Sequence, residues 1–413
     1  MRRGLVVVDA DLGTGMSQQI RIEPTRPGQS VITAIGPRVN RIGADILDAA
    51  GNAVLPGFTD HHLHLHALAV TATSVQCGPP AVHDAHGLRM ALRSARPDST
   101  GWIRGIGYVE TVAGELTRAR LDAIDSTRPL RIAHRSGAMW MFNSAAIAAT
   151  GLQDAAHPGI ERDEVGRATG RIWRADDWLR SRLPGPTPPS LHDVGARLRQ
   201  LGIIEMTDAT PELDHTAISN IVSAVDNSDI HGRVHLLGVG LGDRVDHPRI
   251  TVGPYKIVIA DAPLPTLDEV VERIRTAHAA GRAVAVHCVS RIAFALLTAA
   301  FDVAGVRRGD RIEHGAVLPA AAAATLADRQ IAVITQPGFI SDRGDDFLDG
   351  AEPRDHPDLY RCGSLLDAGV TVAFSSDAPY GPLDPWRIVA AATVRRTHTG
   401  RVVGGPAEIL DTA

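Results

Sequence analysis

Lysine is almost missing from this chain. Of 42 basic residues one is lysine, Lys256, and the rest are arginine. Arginine enrichment alone says little about function. Lys256, however, stands in the apolar run Gly253 to Asp261, GPYKIVIAD, and an amine there can lose its proton where a guanidinium cannot. Its retention points to chemistry, with chance retention as the alternative. Aromatic residues make up 4%, which argues against a surface that stacks bases or sugars. There are three cysteines, Cys77, Cys288 and Cys362, far apart and without a C-x-x-C, so no disulfide framework is expected and a reducing compartment suits the chain. Long apolar runs are absent too. The N-terminal MRRGLVVVDADLG offers only Leu5 to Val8 before Asp9, too short for a signal peptide's core, and no later run approaches a membrane span. A cytoplasmic location is the expectation. The net charge of -5 supplies no basic field for nucleic acid or an anionic membrane, which leaves a small-molecule substrate as the expected partner.

What is present is histidine, concentrated in Pro56 to His66, PGFTDHHLHLH. The apolar residues Ala53, Val54 and Leu55 lead into it and read as a strand that ends in metal ligands. Side chains alternate faces along a strand, so His62 and His64 point the same way, away from His61 and Leu63. Two same-face imidazoles supply half a coordination shell for Zn or another first-row metal. Alone, such a tract could equally be a surface patch that binds metal loosely.

The 413 residues fit one barrel of roughly 250 residues with additions. Residues 1–55 carry short apolar runs (Leu5 to Val8, Ile20 to Ile22, Val31 to Ile35, Ile46 to Leu47, Val54 to Leu55) broken by Gly, Pro and Asn, and predict a small β-rich domain. Residues 56–413 predict an α/β barrel, with an inserted α+β subdomain at about 67–190. That insertion reads as helical at Ala85 to Arg93 and Leu116 to Ile124, strand-like at Trp102 to Tyr108 and Leu130 to His134, followed by a further segment Asn143 to Ala149, and turn-rich from Gly151 through the Pro-rich Leu183 to Ser190. From Leu191 each apolar strand is followed by an amphipathic helix, as a parallel sheet requires. The predicted strands are Ile203 to Asp208, Val234 to Val239, Tyr255 to Ala260, Ala283 to His287, Arg311 to His314, Ile331 to Gln336 and Val370 to Ser375. Helices are expected at Leu267 to Ala280, Ile292 to Ala304 and Ala320 to Ala327. With the strand before His62 these make eight β/α units, a (β/α)8 TIM-type barrel whose chemistry sits at the C-terminal strand ends.

Six polar residues fall at that mouth: His62, His64, Lys256, His287, His314 and Asp377. Four histidines, a carboxylate and a lysine suggest one or two divalent ions, Zn first. A lysine buried among cations loses its proton readily, and its free amine can take up carbon dioxide to form a carbamate, an anionic bridge between ions. His62, His64 and Asp377 would hold one ion and His287 and His314 the other. Hydroxide is then available at neutral pH, and Asp377 is placed to take the attacking water's proton and pass it to a departing amine.

The whole set resembles the amidohydrolase superfamily, in the branch of N-substituted formamide deformylase-like proteins labelled amidohydrolase family 3. The resemblance runs through VLPGFTDHHLH, GWIRGIGY, HRSGAMWMFNSAAI, TDATPE, VAVHCV, RIEHGAV, TQPGF and SSDAPYGPLDPW. It implies a metal-dependent barrel flanked by a β-sandwich, with His62, His64, Lys256, His287, His314 and Asp377 as ligands and, commonly, a homodimer. Relatives return to the sandwich after the barrel, whereas this sequence stops at Asp411-Thr412-Ala413 inside the expected last helix. The function expected is hydrolysis of a non-peptide C–N bond in an amide, N-substituted formamide or cyclic amide. The alternatives are an ester, lactone or phosphoester hydrolase on the same site, or a scaffold that keeps the fold.

Other residues carry weaker readings. His66 shares the face of His62 and His64, but lies where the strand should have ended. His278 reads as a helix-surface residue, His134 as pocket lining or core filler, and Asp208 as a cap or turn residue. Cys288, next to His287, should face the opposite way. The segment Pro337 to Tyr360 is too long for a passive connection and reads as a lid, with Arg343 as a carboxylate contact.

Overall fold

β-Branched and apolar runs bounded by turn residues become strands from the start of the chain. The structure, a computed structural model, describes every residue except 1–2, 27–28, 80, 176–177, 180, 184–188, 262 and 412–413. The Pro-rich stretch expected to close the insertion therefore lies largely outside the described residues. The chain divides into two compact units, Met1–Phe58 and Thr59–Ala413. In the first, β1 (Gly4–Asp11), β2 (Ser17–Arg26), β3 (Gln29–Gly36) and β4 (Ala44–Asp48) form one sheet in the order β3-β2-β1-β4. Val7, Ala10 and Ile20 form a small buried apolar cluster on it. Among the described residues this unit holds one sheet, where two packed layers are expected of a sandwich, and Val54 to Leu55 adds no strand to it.

The second unit begins at β5 (Phe58–Leu63), which starts after Pro56-Gly57 and so lies further along the chain than the apolar run Ala53 to Leu55 suggests. Six strands follow as a separate sheet: β6 (Val75–Gln76), β7 (Ile103–Tyr108), β8 (Leu130–His134), β9 (Met139–Phe142), β10 (Ile160–Arg162) and β11 (Ala168–Trp173), in the order β10-β11-β9-β8-β7-β6. This is the inserted α+β part. Its helix Ala85–Ser94 is capped by Asp84, whose side chain accepts from the Gly87 N–H at 2.7 Å. The turn-rich reading from Gly151 onward is corrected here, since that segment contains the β10–β11 hairpin. The polar turn 163–166 dominates its composition, while Ile160, Ala168 and Ile172 bury the strand faces.

Beyond the insertion the strand–helix rhythm holds. β12 (Ile203–Asp208), β13 (Arg233–Leu236), β14 (Ile250–Val252), β15 (Tyr255–Val258), β16 (Val284–Cys288), β17 (Arg311–His314), β18 (Ala332–Thr335) and β19 (Val372–Phe374) make two sheets, β14-β13-β12-β5 and β15-β16-β17-β18-β19. The pairings β12–β13, β13–β14, β15–β16, β16–β17, β17–β18 and β18–β19 are all parallel. β14 was not expected, because only Gly253-Pro254 separates it from β15 and Ile250-Thr251-Val252 is too short a run to stand out. The helix Leu267–Ala279 shows how local sequence sets these elements. Thr266 and Glu269 form a capping box, Val270, Val271, Ile274 and Ala277 bury one face, and Gly281 at φ +79° follows its end.

Backbone hydrogen bonds also run between the sheet ends. The Asp377 N–H donates to the His62 carbonyl at 2.7 Å, the His64 N–H to the Ala378 carbonyl at 2.9 Å, and the Lys256 N–H to the Leu237 carbonyl at 3.2 Å. At the other end of the strands, the buried Asp310 carboxylate accepts from the Val284 N–H (2.8 Å), the Arg307 N–H (2.7 Å) and His278 Nε2 (3.0 Å). His278 is thus a partner of a buried acid rather than a free surface residue. Losing three bonds to one buried acceptor is costly, so Asp310→Ala should destabilise the chain by about 2–4 kcal/mol. A denaturation midpoint equal to wild type would remove that role. No helix among the described residues is long and apolar enough to cross a membrane.

Candidate metal centre

Alternation on regular strands decides which side chains point inward. On β16, Val284, Val286 and Cys288 pack into the helix-facing core, which leaves Ala285 and His287 on the other face. On β15 and just beyond it, Ile257 and Ile259 do the same, which turns Lys256 and Val258 inward. His62, His64, Lys256, His287, His314 and Asp377 all line one cavity of about 780 Å³. All six residues singled out in the sequence therefore meet. Cys288 faces away, as expected, and burial pushes its thiol up to about 12.

The closest part of the group is His62, His314 and Asp377, which offer ligand atoms within 4.8 Å of one another. His62 Nε2 is 3.6 Å and His64 Nε2 3.2 Å from Asp377 Oδ1, while His314 Nδ1 is 3.7 Å from Asp377 Oδ2. Lys256 Nζ is 3.5 Å from His62 Nε2, and the His287 and His314 ring centroids are 4.5 Å apart. This tight cluster cuts across the sequence-based division into two ligand sets, because His314 approaches Asp377 as His62 does. His64 lies past the end of β5, as the extended N-cap of the helix Leu65–Ala72.

His314 and Asp377 depend on backbone geometry that composition does not reveal. Ile312 faces the helices, so a regular strand would turn His314 the same way. Its φ of +73° takes it out of register, and Asp377 has φ +52°. Non-glycine residues in the left-handed region are uncommon and cluster at functional sites.

Burial sets the protonation states. It holds His62 and His314 well below the usual imidazole range and His287 at about 4, with the neighbouring Lys256 charge acting in the same direction on each. Burial also lowers the Lys256 amine. Neutral imidazoles are what a cation needs from histidine. The fit to a cation has a second sign: Asp377 Oδ1 is buried with no hydrogen-bond partner although two imidazole Nε2 atoms face it. Such an orphaned carboxylate oxygen is rare in folded proteins.

A supporting layer orients these groups, and sequence reasoning missed it. Glu313, fully buried, pairs with His62 Nδ1 and accepts from Arg311 Nε at 2.6 Å. The carboxylate accepts a hydrogen bond from Nδ1–H, which leaves the Nε2 lone pair of His62 facing Asp377 and Lys256. His64 Nδ1 is 3.0 Å from Thr210 Oγ1, and His314 Nδ1 is 2.9 Å from Gln336 Oε1. Asp60 accepts from the His62 and Ser376 N–H groups at 3.1 and 3.2 Å. The signal for Glu313 was in RIEH: with Ile312 outward, Arg311 and Glu313 must share the inner face.

The weaker readings resolve individually. Asp208 caps backbone, accepting from the Leu65 N–H (2.8 Å) and the Thr210 N–H (3.0 Å), as the turn reading expects. His66 is on the helix and 2.9 Å from Asn220 Oδ1, away from the cavity lining. His134 bonds Ser136 Oγ (2.7 Å) and Glu110 Oε2 (3.1 Å). The segment read as a lid is the helix Gly338–Gly350 followed by the 3-10 turn Pro353–Asp358, and Phe339, Arg343, Phe347 and Tyr360 line the cavity.

A mixed α/β fold with parallel strands and a buried His/Asp cluster at their ends is the kind of frame that metal-dependent hydrolases share. Crystal structures of two uncharacterized metal-dependent hydrolases match it with a TM-score of 0.75 each. One, from Pyrococcus horikoshii OT3, is 19% identical and is matched over 95% of this chain and 86% of its own. The other, from Pyrococcus furiosus, is 20% identical over 99% of this chain and 91% of its own. The model of the amidohydrolase family matches residues 45–412, and the chain belongs to that family. Among curated relatives, the N-substituted formamide deformylase of Arthrobacter pascens is 26% identical, covering 96% of this chain and 85% of the relative.

Proposed function

We propose that this protein hydrolyses a non-peptide C–N bond, in an amide, N-substituted formamide or cyclic amide, with a divalent metal held by the six residues above. The observation that carries the reading is the buried, unpartnered Asp377 Oδ1 faced by His62 and His64. The name of the deformylase relative supports a C–N bond as the target. His62, His64, His314, His287 and Asp377 would hold the metal, zinc first by the preference of imidazole-rich sites. When bound, the metal lowers the pKa of water to about 7 and polarises a carbonyl. Asp377 takes the proton from the attacking water and returns it to the departing amine. Lys256, its proton affinity lowered by burial, is the residue able to become a carbamate and bridge two ions. In the same reading β14 and β15 are two pieces of one strand beside β13, so that the nine strands of the two parallel sheets make one closed (β/α)8 barrel, which the bonds between His62 and Asp377 and between Leu237 and Lys256 support.

Protein purified gently and reloaded should carry Zn, Mn, Fe or a similar ion, lose turnover on chelation and regain it on readdition. Absence of any bound ion after readdition would sink the proposal. A panel of amides, formamides, lactones and phosphoesters tests the bond. Turnover of esters with no amide cleaved would overturn the C–N assignment alone.

A further inference from the structure

The cavity holds a second unmatched group besides Asp377. Phe339, Arg343 and Phe347 sit four residues apart on the helix Gly338–Gly350 and share one face, which lines the cavity. The Arg343 guanidinium carbon stands 5.6 Å from the centroid of each phenylalanine ring. Tyr360 closes the cage, 6.1 Å from Phe339 and 5.2 Å from Phe347 between centroids. Aromatic faces hold a guanidinium in place without using its N–H groups. Arg343 makes no hydrogen bond or ion pair among the described residues, and its Nε is buried without a partner.

The acids around the cavity do not answer it. Asp346 is taken by Arg135 at 2.7 Å, Glu352 by Arg354 at 2.9 Å and Asp261 by the Ser290 hydroxyl at 2.5 Å. Asp355 is held by Arg291, the other arginine of the lining, at 2.7 Å. Arg343 thus faces the cavity preorganised, planar and unpaired. Tyr360 relates it to the chemistry. It lines the cavity together with Arg343 and Asp377, so both charged groups open on the same space. One small molecule can therefore address both.

We infer that Arg343 is the recognition point for an anionic group of the substrate, a carboxylate in the first instance, so that the substrate class is an amide bearing a carboxylate. A guanidinium fork matches a carboxylate with two parallel N–H donors, a geometry that lysine does not offer. The inference rests on the hydrolytic reading above for its scissile bond and on Arg343 for its anion.

The test uses the zinc-loaded full chain and ω-formamidoalkanoates of increasing length, each against the alkylformamide that lacks the carboxylate, with a phosphonate series beside them. At the best length the carboxylate member should be favoured in kcat/KM by roughly 10- to 100-fold, the value of a charge-assisted hydrogen-bond pair. Arg343→Gln should bring that ratio close to unity, mainly through KM, and Arg343→Lys should retain part of it. Because the readout is a ratio within one preparation, partial misfolding of a variant does not imitate the result. A ratio near unity in wild type at every length, or one that Arg343→Gln leaves intact, overturns the inference. A phosphonate preference over carboxylate would overturn the carboxylate assignment. Should no amide be hydrolysed, the hydrolytic reading fails by itself, and calorimetric titration of the same pairs into wild type and Arg343→Gln still decides Arg343. Tighter binding of the carboxylate member that depends on Arg343 supports it, and equal binding by both members or both proteins overturns it.

Discussion

Lys256→Ala is expected to lower metal content from about two ions per chain to one or fewer and to reduce turnover by about 10³-fold, the several kcal/mol that a metal contributes to a transition state. Lys256 is 4% exposed, and its amine lies 3.5 Å from His62 Nε2 with its proton affinity lowered by burial. As a carbamate it would supply negative charge to offset the repulsion between two cations in a low-dielectric cavity. Acetate or propionate should restore part of the activity of the alanine variant by standing in for that anion. Lys256→Arg should not, because a guanidinium stays charged and cannot take up carbon dioxide. Metal analysis by mass spectrometry with turnover on the same samples checks this. Wild-type metal content and activity in Lys256→Arg would reduce Lys256 to a buried strand residue beside a single ion.

The second large effect is expected at Glu313. Removing its carboxylate leaves His62 Nδ1 without an acceptor and Arg311, whose side chain is 12% exposed, without its charge partner. Two losses follow, and they can be separated. Metal affinity should fall roughly 10- to 100-fold because the imidazole is no longer held in its Nε2-ligating tautomer. Stability should fall by about 3–5 kcal/mol because a partly buried guanidinium is stranded. Glu313→Ala combined with Arg311→Met should therefore regain much of the stability and none of the metal affinity. If the double variant recovers both, Glu313 serves the fold alone.

The contrast between Glu313 and His314 shows what could be read from the chain and what could not. His62, Lys256 and His287 sit on ordinary strand geometry, where a period of two and a few neighbouring apolar residues place each side chain on the inner face. Glu313 obeys the same rule and is legible in RIEH. His314 and Asp377 do not obey it. Their positive φ values turn them into the cavity, and no single-sequence pattern announces a left-handed histidine or aspartate. The same limit explains the insertion. Its helix Ala85–Ser94 and strands β7 and β8 are marked by cap and apolar pattern, whereas β10 is three residues long beside a polar turn and owes its strand state to pairing with β11. Arg343 was legible as a candidate. Its unpaired state was not, because that depends on where four cavity acids, one of them on its own helix, spend their charge.

The bond between Ser376 N and Asp60 Oδ1 spans 316 positions along the chain. Together with the neighbouring link from Asp377 to His62 it fastens the segment that follows β19 to β5. Closing so long a loop yields no contact energy until nearly all the intervening chain is in place, so this seam belongs to the slow, late part of folding. During synthesis the histidines of β5 emerge long before their carboxylate partner does. With the ligands proposed above, the nascent chain would carry His62 and His64 without the counter-charge of Asp377, and selective capture of a metal would become possible only once the final strand had been made and seated.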